Sequence, residues 1–336
     1  MITELSKLDA RIPKWDTTDL IPRNCPICRH SGDSRYVRPD GLFVKYCDTC
    51  GTWFVSPAPS DRQLKDFYSR YDKTHRREPA VAGRELAERY RGIDPQSGIV
   101  MQEITSMKQL TGRLCLDVGF GRGYSLACFK LLGAHATGLE LDPDAIACAK
   151  QWLGIDDVRN AEIMDLNDDA KYDVITMLDF IEHPLNPFEV IEKAHRLLSP
   201  SGLLVIHTPN SSFVSEEPQP PIFRVDLEHM QYFTFRTCSF VASVTGFEIV
   251  HLESFGFPYL AGIDRLPAED GARLAGAARD SIGLELVNSL KHLVLAVPGM
   301  KAANQIRKTL GRLQEEQTLS ERLGRYHLLC IFRKPE

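Results

Sequence analysis

The sequence predicts an α/β protein: a largely parallel sheet with helices on both faces, preceded by a small cysteine module. Three observations carry that expectation. Apolar runs of strand length alternate with amphipathic helical stretches over residues 114–252, the order that buries a parallel sheet on both faces. The first run leads into three glycines at alternate positions, Gly119, Gly121 and Gly123. Ahead of it stand two C-x-x-C pairs, Cys25/Cys28 and Cys47/Cys50.

The chain divides into a lead-in at residues 1–23, the cysteine module at 24–60, a helical linker at 61–111 and the α/β domain at 112–336. In the linker, Leu64 and Phe67 fall three apart on one helical face, and residues 83–91 continue in the same charged, helical style. Residues 114–118 read as a short buried strand, 124–132 as a helix stopped by Gly133, and 136–141 as the second strand. Asp142 and Pro143 pair an N-cap with a first-turn proline and open a helix to about residue 153. Residues 172–178 form a strong strand. Asn186 caps the next helix, with Glu189 placed for a capping box. That helix buries Val190, Ile191, Ala194, Leu197 and Leu198. Residues 199–202 turn into a strand at 203–208. A helix at 235–244, stopped by Gly246, leads to a strand at 247–252, and residues 325–333 supply the last strand. The segment at about 258–324 is too long for a plain connection and predicts a helical insertion. Within 286–313, Lys291, Lys301, Arg307, Lys308 and Arg312 lie among apolar residues. A lid or dimer contact is the expectation, with peripheral membrane contact as the alternative.

Composition narrows the function classes. The chain is 43% apolar and 25% charged, as globular proteins are. Its net charge of −5 argues against broad electrostatic binding to nucleic acid. No apolar run approaches the roughly 18 residues of a membrane-spanning helix. Residues 1–19 show no export-signal core. The expectation is a cytoplasmic protein with reduced thiols. Five of the nine cysteines are scattered through apolar segments as ordinary buried thiols. The other four make two knuckles eighteen residues apart, which together form a closed tetrahedral site with zinc as the default metal. Such a site has no open position and is structural.

The glycine loop predicts its ligand by what it lacks. Dinucleotide sites use G-x-G-x-x-G, but Tyr124 stands where the third glycine of that pattern belongs. Asp117, just before the turn, is a poor neighbour for a diphosphate. It suits the ammonium of an amino-acid tail, directly or through water. Glu140, closing the second strand, can accept two ribose hydroxyls. Glu162 is placed for an adenine amino group, with Asp165 as the fallback. These residues favour S-adenosylmethionine (SAM).

The stretch Asp117-Val-Gly-Phe-Gly-Arg-Gly123, the acid in Gly138-Leu-Glu140, the strand and exit at 172–183, and the turn and strand at 198–210 resemble the class I SAM-dependent methyltransferases. The resemblance implies a Rossmann-like seven-stranded sheet whose last strand, residues 325–333, is antiparallel. It also implies that Asp179 faces the cofactor. The run Cys47-Asp-Thr-Cys-Gly-Thr-Trp-Phe-Val-Ser-Pro-Ala-Pro-Ser60, then Leu64 and Phe67-Tyr68, resembles bacterial methyltransferases with an N-terminal zinc ribbon. These work in surface-glycan and secondary-metabolite pathways and are related to sugar methyltransferases. Glu228 and His229 match a Glu-His pair in that group whose histidine is taken as general base. The expectation is methyl transfer to a small hydroxylated acceptor, a sugar or glycan intermediate, at oxygen or carbon. The alternative is an RNA methyltransferase that holds its substrate with the ribbon. Anchoring of its loop is the competing role for His229. Pocket wall or cap is expected for His183, core for His207, and packing for Tyr68 and Tyr71.

Overall fold

The computed structural model describes residues 13–69, 95–216, 220–223, 226–256 and 326–336. Tyr71, the helical stretch expected at 83–91 and the whole of the insertion expected at 258–324 lie outside the described residues. No helix among the described residues is long and apolar enough to cross a membrane.

The N-terminal part is a set of short strands. β1 (Leu20–Ile21) pairs antiparallel with β5 (Ala58–Pro59), and β2 (Asp33–Val37), β3 (Phe43–Tyr46) and β4 (Trp53–Val55) form a meander. Helix α1 (Asp61–Tyr68) follows, with Ser60 as N-cap and Leu64 buried.

The larger part begins with α2 (Pro95–Met107) and proceeds through β6 (Leu114–Val118), α3 (Tyr124–Leu131), β7 (His135–Glu140) and α4 (Pro143–Cys148). Asp142 caps α4 by accepting from the Asp144 amide. The expected continuation to residue 153 is a π-helical turn, Ala149–Leu153, ended by Gly154 at φ +60°. β8 (Val158–Asn160) was not anticipated, being too short to show a period. β9 (Tyr172–Leu178) and α5 (Pro187–Leu197) stand as expected, but Asn186 makes no side-chain cap, and Glu189 instead meets Arg29 at 2.7 Å. β10 (Leu198–Pro209) absorbs the predicted turn as an irregularity. Its pairing with β9 jumps from Leu198 to Leu203, and Ser201 takes φ +58°. β11 (Gln231–Tyr232), α6 (Phe235–Thr245), β12 (Glu248–Phe255) and β13 (His327–Arg333) complete the described chain. Thr234 and Thr237 form a capping box at the start of α6.

The main sheet has seven strands in the order β12-β13-β10-β9-β6-β7-β8, with β13 antiparallel to both neighbours and the other pairings parallel. Alternation along each strand feeds two cores. Leu116, Ile175 and Leu204 pack with Ile191 and Val241 on one face. Cys115, Val174 and Leu203 pack with Val100, Ile104 and Phe129 on the other.

The small sheet is not self-contained. Its order is β11-β4-β3-β2, so its fourth strand comes from the loop between β10 and α6. Met230 and Tyr232 share one core with Val44, Trp53 and Val55.

Candidate active site

The strand order reverses between β6 and β9, so their carboxyl ends flank the crevice in which open α/β sheets bind ligands. Gly119, Gly121 and Gly123 all take positive φ, at +69°, +52° and +76°, where a side chain is strained. A Cβ on Gly119 would stand 2.4 Å from Phe180, and one on Gly123 2.7 Å from Leu153. The Gly119 amide donates to Leu139 O at 2.8 Å, tying the loop to β7. The Gly121 amide donates to Glu140 Oε2 at 2.8 Å, while Glu140 Oε1 accepts from the Leu141 and Asp142 amides. The half-buried Glu140 carboxylate is thus held against the loop by backbone donors.

Asp117 is 1% exposed. Its Oδ1 accepts from Thr176 Oγ1 at 2.7 Å, and its Oδ2 has no partner. Burial pushes its carboxyl up to about 6, against hydrogen bonds from Thr176 and Ser125. Glu162 lies at the turn after β8. It meets Lys65 of α1 at 3.0 Å, and its amide donates to Asp165. Asp179, at the exit of β9, sits at φ +49° with its carboxylate 2.9 Å from His207 Nδ1. His207 is fully buried as expected, and it anchors Asp179 besides filling core.

A second constellation forms where the exit of β9 meets the loop before β11. The Met230 and Gln231 amides both donate to Glu182 O. Glu182 is 1% exposed; its Oε2 accepts from Thr208 and its Oε1 has no partner. His229, 6% exposed, places Nε2 at 4.0 Å from Glu182 Oε1, and its Nδ1 has no partner. The His229 and His183 rings lie 4.9 Å apart, edge to face. Tyr68 Oη sits 2.6 Å from His183 Nδ1 and 3.5 Å from Glu228 O. Glu228 is itself buried. Donor atoms of Glu182, His183 and His229 fall within 4.8 Å of one another. Both His183 nitrogens are already engaged, by Tyr68 and by Asp179 O. His183 as placed therefore has no nitrogen free for a cation, whereas Glu182 Oε1 and His229 Nδ1 carry no hydrogen bond of their own. Burial lowers the His183 imidazole to about 4 and holds that of His229 well below its ordinary value.

The four knuckle cysteines converge as well. Cys25 and Cys50 sulfurs lie 3.4 Å apart, those of Cys28 and Cys47 3.3 Å, and all four fall within 4.8 Å. A tetrahedral Zn–S₄ unit has sulfur–sulfur edges of roughly 3.8 Å, so the donor set fits that metal. The same knuckles hold the start of α6. Thr234 Oγ1 donates to Gly51 O, Thr52 meets Thr237 at 3.2 Å, and Arg236 reaches Asp48 O.

A methyltransferase-domain family matches residues 81–252, more than half of the chain. The chain belongs to that methyltransferase family. Among curated relatives, the ubiquinone biosynthesis O-methyltransferase of Marinobacter nauticus is 34% identical over 110 residues, covering 30% of this chain and 46% of the relative. The enzyme of the same name from Paraburkholderia phytofirmans is 29% identical over 123 residues, 35% of this chain and 53% of the relative. The chain spans about half the length of the curated relatives it matches. Among solved structures, the 1,6-didemethyltoxoflavin-N1-methyltransferase of Burkholderia thailandensis has a TM-score of 0.46 at 15% identity, covering 90% of this chain and all of that one.

Within this methyltransferase domain, the fold brings Gly121 and Glu140 into direct contact and ties Gly119 to Leu139 O beside them. Glu162 stands at the edge, bound to α1. Glu182, beside His183 in the sequence, carries no local signal of this role, because neither its burial nor its neighbour His229 is visible in the chain order. Burial, with the Asp179 charge adding to it, pushes the Glu182 carboxyl well above its ordinary range. The folded state therefore binds that proton more tightly than the unfolded chain. The resulting stability is present below about pH 4.5 and is lost as pH rises toward the folded value. Glu182→Gln removes this dependence. The variant is expected to gain stability over the parent at about pH 8 and to lose that gain near pH 5. Urea unfolding at the two pH values checks it, and an equal gain at both would contradict it.

Proposed function

We propose that this methyltransferase moves the SAM methyl group to a hydroxyl of a small acceptor, with His229 as general base and Glu182 beside it. The observation that carries the reading is a buried imidazole with an unpartnered Nδ1 and a carboxyl oxygen of Glu182 4.0 Å from its Nε2. Burial keeps that ring neutral near pH 7, the state in which it accepts a proton. Glu182 Oε1, beside Nε2, would accept the ring's N–H as the imidazole takes up a proton. SAM itself supplies a methyl group on a sulfonium, displaced in line once the acceptor is aligned.

The residues of the crevice fit SAM. Glu140 is placed for ribose hydroxyls, the unsatisfied Asp117 Oδ2 for the methionine ammonium through water, and the bare glycine turn for close approach. Glu162 is assigned to the adenine edge, Asp179 to the cofactor side of the β9 exit, and Glu228 to the acceptor wall. Zinc held by Cys25, Cys28, Cys47 and Cys50 is assigned a structural role. The names of the curated relatives support a hydroxyl as acceptor. A sugar or glycan intermediate is our reading of its class, resting on the ribbon-bearing layout.

Release of S-adenosylhomocysteine, screened over nucleotide sugars and phenols, tests the reaction. His229→Ala is expected to lower turnover about 10²- to 10⁴-fold with SAM affinity retained. Full turnover in that variant would remove the base.

A further inference from the structure

The small sheet reaches the acceptor side through a side chain that belongs to none of the motifs. Arg38 follows β2 and is 2% exposed. All five of its guanidinium N–H donors are used. Nε donates to Asp40 Oδ1 at 3.1 Å and Nη2 to Asp40 Oδ2. The other three cross to a loop some 190 residues away. Nη2 donates to Leu227 O, and Nη1 donates to His229 O at 2.6 Å and to Tyr232 Oη at 3.1 Å. An arginine present only to balance Asp40 needs two donors. Here the remaining three hold the carbonyls on either side of the Glu228–His229 peptide and the strand that follows it. Fixing both carbonyls fixes the backbone from which the His229 ring projects.

We propose that Arg38 is a positioning residue for methyl transfer, holding the loop at 226–232 so that the His229 ring stands against Glu182 and His183. The proposal rests on the reading of His229 as base. The groups around that ring are Glu182, His183 with Tyr68 behind it, Asp179, Tyr232, Arg38 with Asp40, and Glu228 and Asp226 of its own loop. With the loop held, the ring is buried and poorly hydrated. With it released, water reaches the ring.

Arg38→Lys tests this, because it keeps the charge opposite Asp40 but cannot form the fork. Arg38→Met with Asp40→Asn removes the ion pair as a unit and serves where the lysine variant misfolds. The full chain is labelled at histidine for NMR, and the His229 signals are assigned by their loss in His229→Asn. In either variant the His229 resonances should move, and their titration midpoint should rise by about one pH unit or more toward the ordinary value. SAM affinity, read by calorimetry, should change less than about threefold. An unchanged His229 midpoint would overturn the proposal. So would a larger loss of SAM affinity in both variants, because Arg38 would then support the fold at large. A His229→Ala variant that still transfers methyl would end the base reading and leave the Arg38 result standing.

Discussion

With zinc proposed for the four-cysteine site, its chelation, or replacing Cys47 by serine, is expected to dismantle the small sheet and abolish turnover while the larger sheet still binds SAM. The small sheet has four strands of two to five residues, and one of them is borrowed. Its apolar core is correspondingly small. A structural zinc contributes roughly 10–16 kcal/mol of apparent binding energy in small zinc domains, more than such a core can replace. Cys47 is fully buried; its amide donates to Thr52 O and its carbonyl accepts from Gly51. Loss of the cluster therefore unpicks β4, and with it the pairing of Phe54 and Trp53 with Gln231 and Tyr232. His229 lies two residues before that pairing. The SAM crevice is built instead from β6, β7 and β9, whose strand pairings belong to the other sheet; Cys25, Cys47, Cys50, Ile27 and Phe54 share one of their cores, so SAM affinity should weaken on metal loss without disappearing. Metal content, near-ultraviolet dichroism and SAM calorimetry before and after chelation check this. Unchanged turnover in metal-free protein would contradict it.

Gly119→Ala is expected to weaken SAM binding at least about tenfold, or 1.4 kcal/mol. A non-glycine residue held at φ +69° costs roughly 1–2 kcal/mol. The new Cβ would also meet Phe180 at 2.4 Å, and relieving that contact moves an aromatic ring at the crevice itself. Gly112→Ala is the control. Gly112 has φ +73°, but its Cβ would meet nothing within 4 Å, so it should lose stability without losing SAM affinity. Equal affinity in the Gly119 variant and the parent would place the ligand elsewhere.

The two parts of the molecule were legible in the sequence to different degrees. The parallel core was readable because its signals are local. Gly119 to Gly123 sit between two apolar runs, Asp142-Pro143 marks a helix start, and Gly246 marks a helix end at φ +78°. The antiparallel last strand followed from family resemblance, and β13 lies between β10 and β12 accordingly. β8 escaped because three residues carry no period. The π turn at Ala149–Leu153 escaped because it keeps a helical pattern while widening the helix. The acceptor side was the least legible. Residues 24–60 and 112–336 read as separate modules, yet Gln231 and Tyr232 complete the small sheet. Arg38, between Val37 and Pro39, has no local pattern that points to partners in the loop at 226–232. Glu182 and His229 are 47 positions apart in the chain and are brought together where the Met230 and Gln231 amides donate to Glu182 O.

The central claim is that the glycine loop and its two acids bind SAM. Calorimetric titration of the full chain with SAM tests it most directly, alongside the Asp117→Ala/Glu140→Ala variant. One SAM per chain in the parent, with binding lost in the double variant while its unfolding remains cooperative, is the predicted result. No heat of binding at millimolar SAM, or undiminished affinity in the double variant, would contradict it.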